Sequence, residues 1–405
     1  MCTANAYGVL RAPNLLYFGS GARASIAPEA RKIGGRLGII VDPFFLDSPD
    51  FAAVLRGLDE SGVSHRVFSE VIPELPLDSI DAAASALGTL SPDALLGYGG
   101  GSAIDLAKLV ALKVSLPGPI SSYYGENQVD GPVLPVIAVP TTAGTGSEVT
   151  PVAVVSDPTR ALKVGVSDPA LIPRVAIVDP DLTIAAPPSV TAFSGIDALA
   201  HAIESYTARE QVPNWSATLP VSIGANRLSS VYALEAVDAL GSSLVAAYRD
   251  GTDRTARRNN SYGATMAGIA FGNAGVHLGH AIQYPLGALT KTPHGMGTGM
   301  LLPHVMRACL PFRSERLAEI AEVLSPGVVG SAEARAQHGI DRVTDICRAI
   351  GLPASLREMG VAAGDLDDIV EKSIGITRLA GNAPFEVTFE RVQSIVRSAF
   401  HGDAA

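Results

Sequence analysis

Short runs without a single polar side chain, each ended by a polar or glycine-rich stretch, most restrict what this chain can fold into. Leu37-Gly38-Ile39-Ile40-Val41 stops at Asp42, and Ala94-Leu95-Leu96-Gly97-Tyr98 stops at three glycines. Val136-Ile137-Ala138-Val139 stops at Pro140, and Val175-Ala176-Ile177-Val178 follows. A strand wetted on one face alternates apolar and polar residues. A run that is apolar throughout is a strand covered on both faces, as in a parallel sheet between helices. Stretches of helical spacing lie between the runs, one of them at 105–112. The alternation predicts a layered α/β domain with a mostly parallel sheet.

The pattern changes at Ala186-Pro187-Pro188-Ser189, where two prolines stop regular structure. Beyond it, alanine-rich stretches at 197–207, 221–249, 255–272, 315–324 and 343–350 carry helical spacing, and 326–339 reads as a loop with short helical pieces. The expectation is an α/β domain over 1–186 and an all-helical domain over 187–405. A length of 405 residues suits two such domains. With 47% apolar and 17% charged residues the chain is not a disordered one. Lys plus Arg number 30 against 40 Asp plus Glu, a net charge of −10 that argues against nucleic acid or an anionic membrane as partner. No apolar run approaches the ~18 residues of a membrane span. Residues 1–8 lack the basic-then-apolar order of a secretory signal. Cys2, Cys309 and Cys347 are odd in number and form no CxxC, which predicts unpaired thiols in a reducing cytoplasm.

Two loops are suited to phosphate. Gly99-Gly100-Gly101-Ser102-Ala103-Ile104-Asp105 follows a strand and opens a helix, whose first N–H groups and positive dipole end favour an anion. It is either such a site or a tight strand-to-helix turn, and it is not the GxGxxG fingerprint. Pro140-Thr141-Thr142-Ala143-Gly144-Thr145-Gly146-Ser147 also follows a strand and offers hydroxyls and glycines. Asp42 ends a strand, where a carboxylate can accept from a ribose diol and repel a 2′-phosphate, or can simply cap a turn. In the second half, Asp197 and His201 are four apart on one helical face. His280 and His294 follow, and one carboxylate with three imidazoles makes a mixed O/N set for Fe²⁺ or Zn²⁺.

Together these segments resemble the iron-containing (group III) alcohol dehydrogenase family. The resemblance runs in order through GGGSAIDLAK from Gly99, AVPTTAGTGSEVT from Ala138, SGIDALAHAIESY from Ser194, GHAIQYPLGALTKTPHG from Gly279 and LLPHVM from Leu301. It implies a dehydroquinate-synthase-like architecture: an N-terminal dinucleotide-binding domain, a C-terminal helical metal domain and an active site in the cleft between them. It implies Asp197, His201, His280 and His294 as metal ligands. Cofactor residues would be Gly99, Gly100, Gly101, Ser102, Asp105, Thr141, Thr142, Thr145 and Lys163. Asp42 would favour NAD(H) over NADP(H). Many members carry a second histidine where this chain has Tyr284, so Tyr284, His277 one turn earlier, or water would relay the proton. Phe271 and Arg378 fall at substrate positions, and Arg378 suits an aldehyde with an anionic group, such as a semialdehyde or phosphonoacetaldehyde. The function expected is a metal-dependent, NAD(P)H-linked alcohol dehydrogenase or aldehyde reductase, as a homodimer or larger assembly. The rivals are a metal-independent maleylacetate-reductase-like enzyme, a dehydroquinate-synthase-like lyase and a non-catalytic nucleotide-binding protein.

Overall fold

The computed structural model describes residues 7–160 and 162–402; Cys2 lies outside the described residues. The chain forms two compact units: Arg11–Ala186, and a second that begins at Pro187 and also takes residues 7–10. The sequence reading counted residues 7–10 with the α/β domain. Tyr7 explains the difference. Its hydroxyl accepts from the Gln211 amide at 2.8 Å, and its carbonyl accepts from the Arg227 amide at 3.0 Å.

The first unit carries strands β1 (Leu15–Phe18), β2 (Arg36–Val41), β3 (Ser64–Phe68), β4 (Ala94–Gly99), β5 (Gly125–Glu126), β6 (Val136–Pro140), β7 (Val152–Val155), β8 (Val164–Ser167) and β9 (Val175–Val178). Its helices are α1 (Ile26–Ile33), α2 (Pro49–Glu60), α3 (Leu77–Gly88) and α4 (Gly101–Ser115). Six strands form one sheet in the order β1-β9-β6-β4-β2-β3, and every pairing in it is parallel. The other three make a small sheet, β5-β8-β7, in which β7 and β8 run antiparallel.

The apolar runs are apolar because both faces of the large sheet are covered. Leu37, Ile39 and Val41 of β2, with Leu96 and Tyr98 of β4, pack with Ile26 of α1 and Phe51 and Leu58 of α2. Ile40 and Leu95 point to the opposite core, with Ile80 and Leu87 of α3 and Leu106 and Val110 of α4. Period-two alternation therefore separates two cores, with no polar face between them.

The second unit is helical: α5 (Pro188–Thr207), α6 (Arg227–Arg249), α7 (Arg254–Ala274), α8 (Leu278–Thr290), α9 (His294–Leu324), α10 (Ala332–Ala349), α11 (Leu366–Gly375), α12 (Thr377–Ala380) and α13 (Phe389–His401). α5 is the central element, packed against α6, α7 and α9 and buried continuously from Gly195 to Thr207. Several boundaries differ from the sequence reading; α5 starts at Pro188 rather than 197 and α9 at His294 rather than 315. Helix α6 starts at Arg227 rather than 221, because the Asn226 side chain caps it and Gly224 has φ +76°. The stretch 326–339 is not a loop throughout: Ser331 accepts from the Ala334 amide and starts α10 at Ala332. By length and composition α6 could cross a membrane. Its apolar residues Ala233, Val237, Leu240 and Leu244 are nevertheless buried in this unit, so they already have a core to fill. Cys309 and Cys347 are free and buried.

One buried cation ties the second loop of the α/β unit to its helix. Lys108 of α4 is fully buried, and its ammonium donates to the carbonyls of Thr150 at 2.9 Å and Val152 at 2.8 Å. Lys108→Met keeps the volume but leaves those carbonyls without a donor. The expected cost is about 1–3 kcal/mol, read as a lower denaturant midpoint; an unchanged midpoint would contradict this role.

Candidate active site

In the α/β unit, three candidate loops end adjacent strands. Val41 of β2 pairs with Tyr98 of β4, and Gly99 pairs with Pro140 of β6. Asp42, the glycine turn and the threonine loop therefore leave the sheet side by side. The chain reverses direction across the sheet here, since β3 and β4 lie on opposite sides of β2. Open α/β sheets bind their ligands at such a switch point. The Asp42 amide donates to the Tyr98 carbonyl at 2.9 Å, and its carboxylate caps the following turn by accepting from the Phe44 amide at 3.0 Å.

Gly100 is the N-cap of α4, so Gly101 and Ser102 open the helix at its positive end. A Cβ on Gly101 would lie 2.7 Å from Thr145 Cγ2, so glycine lets the threonine loop close on the helix start. Thr142 lies at ordinary contact distance from Gly100, 3.5 Å from where a Cβ would be, and Thr141 is buried. Asp105, expected among the cofactor residues, is held by protein partners. One carboxylate oxygen accepts from the Ser147 hydroxyl and the other from the Val154 amide at 2.9 Å, so it supports the threonine loop. Lys163 pairs with Glu74, and its charge also reaches Asp105.

The second site is built on α5. Asp197, His201 and Glu204 fall at i, i+4 and i+7, on one face of a helix buried on all sides. His280 comes from α8 and His294 is the first residue of α9. Asp197 Oδ1 lies 3.7 Å from His280 Nε2 and 3.7 Å from His294 Nε2, and Oδ2 lies 3.9 Å from His201 Nε2. Two ligands about 2.1 Å from one ion are about 3.4 Å apart at the tetrahedral angle, so Asp197, His280 and His294, whose ligand atoms lie within 4.8 Å of one another, suit a single shared cation, while His201 stands outside that closest group. The His201 ring stacks on His280 at 4.7 Å.

His280 supplies the observation that tests the fit. Its Nδ1 meets Glu204 Oε2 at 2.8 Å, while its Nε2 is buried without a hydrogen-bond partner. A carboxylate on Nδ1 fixes the proton there and leaves the Nε2 lone pair toward Asp197. Burying such a nitrogen unpaired is costly, and a cation would satisfy it. Burial drives the His201 imidazole down to about 4, and so holds it in the neutral form that ligates. Burial opposes ionisation of Asp197, but the electrostatic pull of the neighbouring His201, His294 and His280 rings outweighs it and holds the carboxyl below its usual range. The Thr298 hydroxyl also donates to Asp197 Oδ1, at 2.7 Å.

Other expected residues fall around this cluster. The Phe271 ring stacks on His201 at 4.1 Å and 17°. The Tyr284 ring lies 6.2 Å from that of His294. Arg378 is exposed on α12, close enough for its charge to act on His280. His277 is not on the helical face shared by His280 and Tyr284. It is the N-cap of α8, with φ −137° and ψ −122°, and its ring is buried with Nε2 3.0 Å from the Thr207 hydroxyl. Its amide donates to Glu204.

The model of iron-containing alcohol dehydrogenases matches residues 13–180, and that of the C-terminal part of the Fe-containing family matches residues 191–400. The chain belongs to the iron-containing alcohol dehydrogenase family. It is 33% identical over 389 residues to an NAD-dependent methanol dehydrogenase of Bacillus methanolicus, covering 96% of this chain and 98% of that one. It is 30% identical over 388 residues to a lactaldehyde reductase of Escherichia coli K12, covering 95% and 97%. A solved structure of 1,3-propanediol oxidoreductase superposes with a TM-score of 0.91 at 29% identity, covering 97% and 100%. This iron-containing alcohol dehydrogenase family member is thus an oxidoreductase.

Glu204 and Thr298 were not singled out from the sequence. Glu204 had a signal, the extension of the Asp197/His201 face by three residues; Thr298, one turn into α9, had none. Asp197→Ala removes the carboxylate common to all three contacts. It should abolish binding of Zn²⁺ by metal analysis while leaving NADH binding, read by fluorescence, within about twofold. Retained stoichiometric metal would contradict the assignment.

Proposed function

We propose that this family member is a cation-dependent, NAD(H)-linked reductase of small aldehydes, running in reverse as an alcohol dehydrogenase. The observation that carries the reading is the meeting of Asp197, His280 and His294, whose ligand atoms all lie within 4.8 Å of one another, with His201 against the other Asp197 oxygen and Glu204 on His280 Nδ1. Iron or zinc held by these residues would supply a Lewis acid for a carbonyl oxygen, and a nicotinamide would supply the hydride.

The chain's own part is orientation and charge. The loops at Gly99–Ser102 and Thr141–Thr145 would hold the pyrophosphate, and Lys163 would lie near the nicotinamide ribose. Asp42 would accept from the adenosine ribose and repel a 2′-phosphate, which favours NAD(H). The stacked Phe271 ring would line the substrate side of His201. Tyr284 lies beside His294, whereas the contacts of His277 are with Thr207 and Glu204, which favours Tyr284 as the relay. Arg378 would pair with an anionic group on the substrate. The buried, unpaired thiols of Cys309 and Cys347 go with a reducing cytoplasm.

An NADH-oxidation screen over neutral and anionic aldehydes tests the reading, on protein loaded separately with Fe²⁺ and Zn²⁺ and with the metal-free form as control. Turnover should require the cation and NADH, with NADPH at least tenfold poorer. Equal turnover without cation would overturn it. Arg378→Ala should raise KM about tenfold or more for anionic aldehydes and leave neutral ones nearly unchanged; equal losses on both would remove the substrate assignment.

A further inference from the structure

Glu204 is buried to 1% exposure and is surrounded by donors. Its Oε1 accepts from the Gly279 amide at 2.6 Å. Its Oε2 accepts from the His277 amide and from His280 Nδ1, each at 2.8 Å. Three N–H groups thus converge on two oxygens, two of them the first backbone donors of α8, and the third on a cation ligand. A Cβ on Gly279 would collide with Oε1, so the close approach needs glycine there. Glu204 sits on α5 together with Asp197 and His201, whereas His280 sits on α8.

We infer that Glu204 is the positioning residue of the cation site, locking α8 to α5 and presenting His280 Nε2 as a lone pair. This rests on the cation reading of the site. A carboxylate meets all three donors at once. A glutamine cannot, because it has one acceptor oxygen. Turned one way its NH₂ faces the Gly279 amide; turned the other way it faces both the His277 amide and His280. Either way a donor is left facing a donor in a buried site. The carboxylate also makes its imidazole partner a stronger ligand, which an amide does not. Once a cation takes the place of any proton on the ligand nitrogens, Asp197 and Glu204 bring two buried negative charges to the site, matched by one divalent ion.

The test is Zn²⁺ affinity, by competition with a chromophoric chelator, of the full-length protein and of Glu204→Gln. NADH affinity is measured on the same samples. Glu204→Gln should weaken Zn²⁺ binding by about 10–100-fold and leave NADH binding unchanged. Equal Zn²⁺ affinity in the two proteins would overturn the inference while leaving the cation reading standing. Absence of Zn²⁺ binding by the unsubstituted protein would instead overturn the cation reading. A second measurement needs no variant: the ¹⁵N spectrum of the Zn²⁺-loaded protein should show a proton on His280 Nδ1. A proton on Nε2 would overturn the inference even if Glu204→Gln does not fold.

Discussion

Asp197 is the constraint on which the helical unit depends. A carboxylate buried at 5% exposure in the middle of a central helix is tolerated only where opposite charge and hydrogen bonds meet it. Here three imidazole nitrogens approach within 3.7–3.9 Å, and Thr298 donates to one oxygen. His280 is in turn held by Glu204, which also receives the first amides of α8. The starts of α8 and α9 are therefore fixed to α5 by polar contacts as well as by packing. The apolar side chains of α5 supply the burial that sharpens those contacts, because charges interact more strongly away from water.

The α/β unit solves a different problem. In the proposed reading its loops would offer backbone N–H groups and hydroxyls to a dinucleotide. Their shape is set from inside, by Lys108 on the Thr150 and Val152 carbonyls and by Asp105 on Ser147 and Val154. A buried cation and a carboxylate one turn apart on α4 thus hold the threonine loop against the glycine turn.

Much of this was legible in the sequence. The apolar runs located β2, β4, β6 and β9 because doubly covered strands leave no polar alternation. Strands β1 and β3 were not found: β3 is partly polar, reading Ser64-His65-Arg66-Val67-Phe68, whereas β1 is the apolar run Leu15–Phe18 and was passed over. The small sheet was also missed, although its β7 is apolar throughout, Val152–Val155. The i, i+4 pair Asp197/His201 was visible because helical spacing is local, whereas the approach of His280 and His294 depends on packing between helices and was carried by the family resemblance. Asp105 and His277 show where motif reading stops. Both lie in or beside recognisable segments, yet the carboxylate of Asp105 bonds to Ser147 and Val154 in and beyond the neighbouring threonine loop, and His277 leaves the helix at its cap.

Anomalous diffraction at the metal edge, from crystals of protein loaded with Fe²⁺ or Zn²⁺, tests the central claim most directly. The account predicts one strong peak within about 2.0–2.2 Å of an Asp197 oxygen and of Nε2 of His201, His280 and His294. An active, metal-loaded protein whose peak lies away from those four side chains would contradict it.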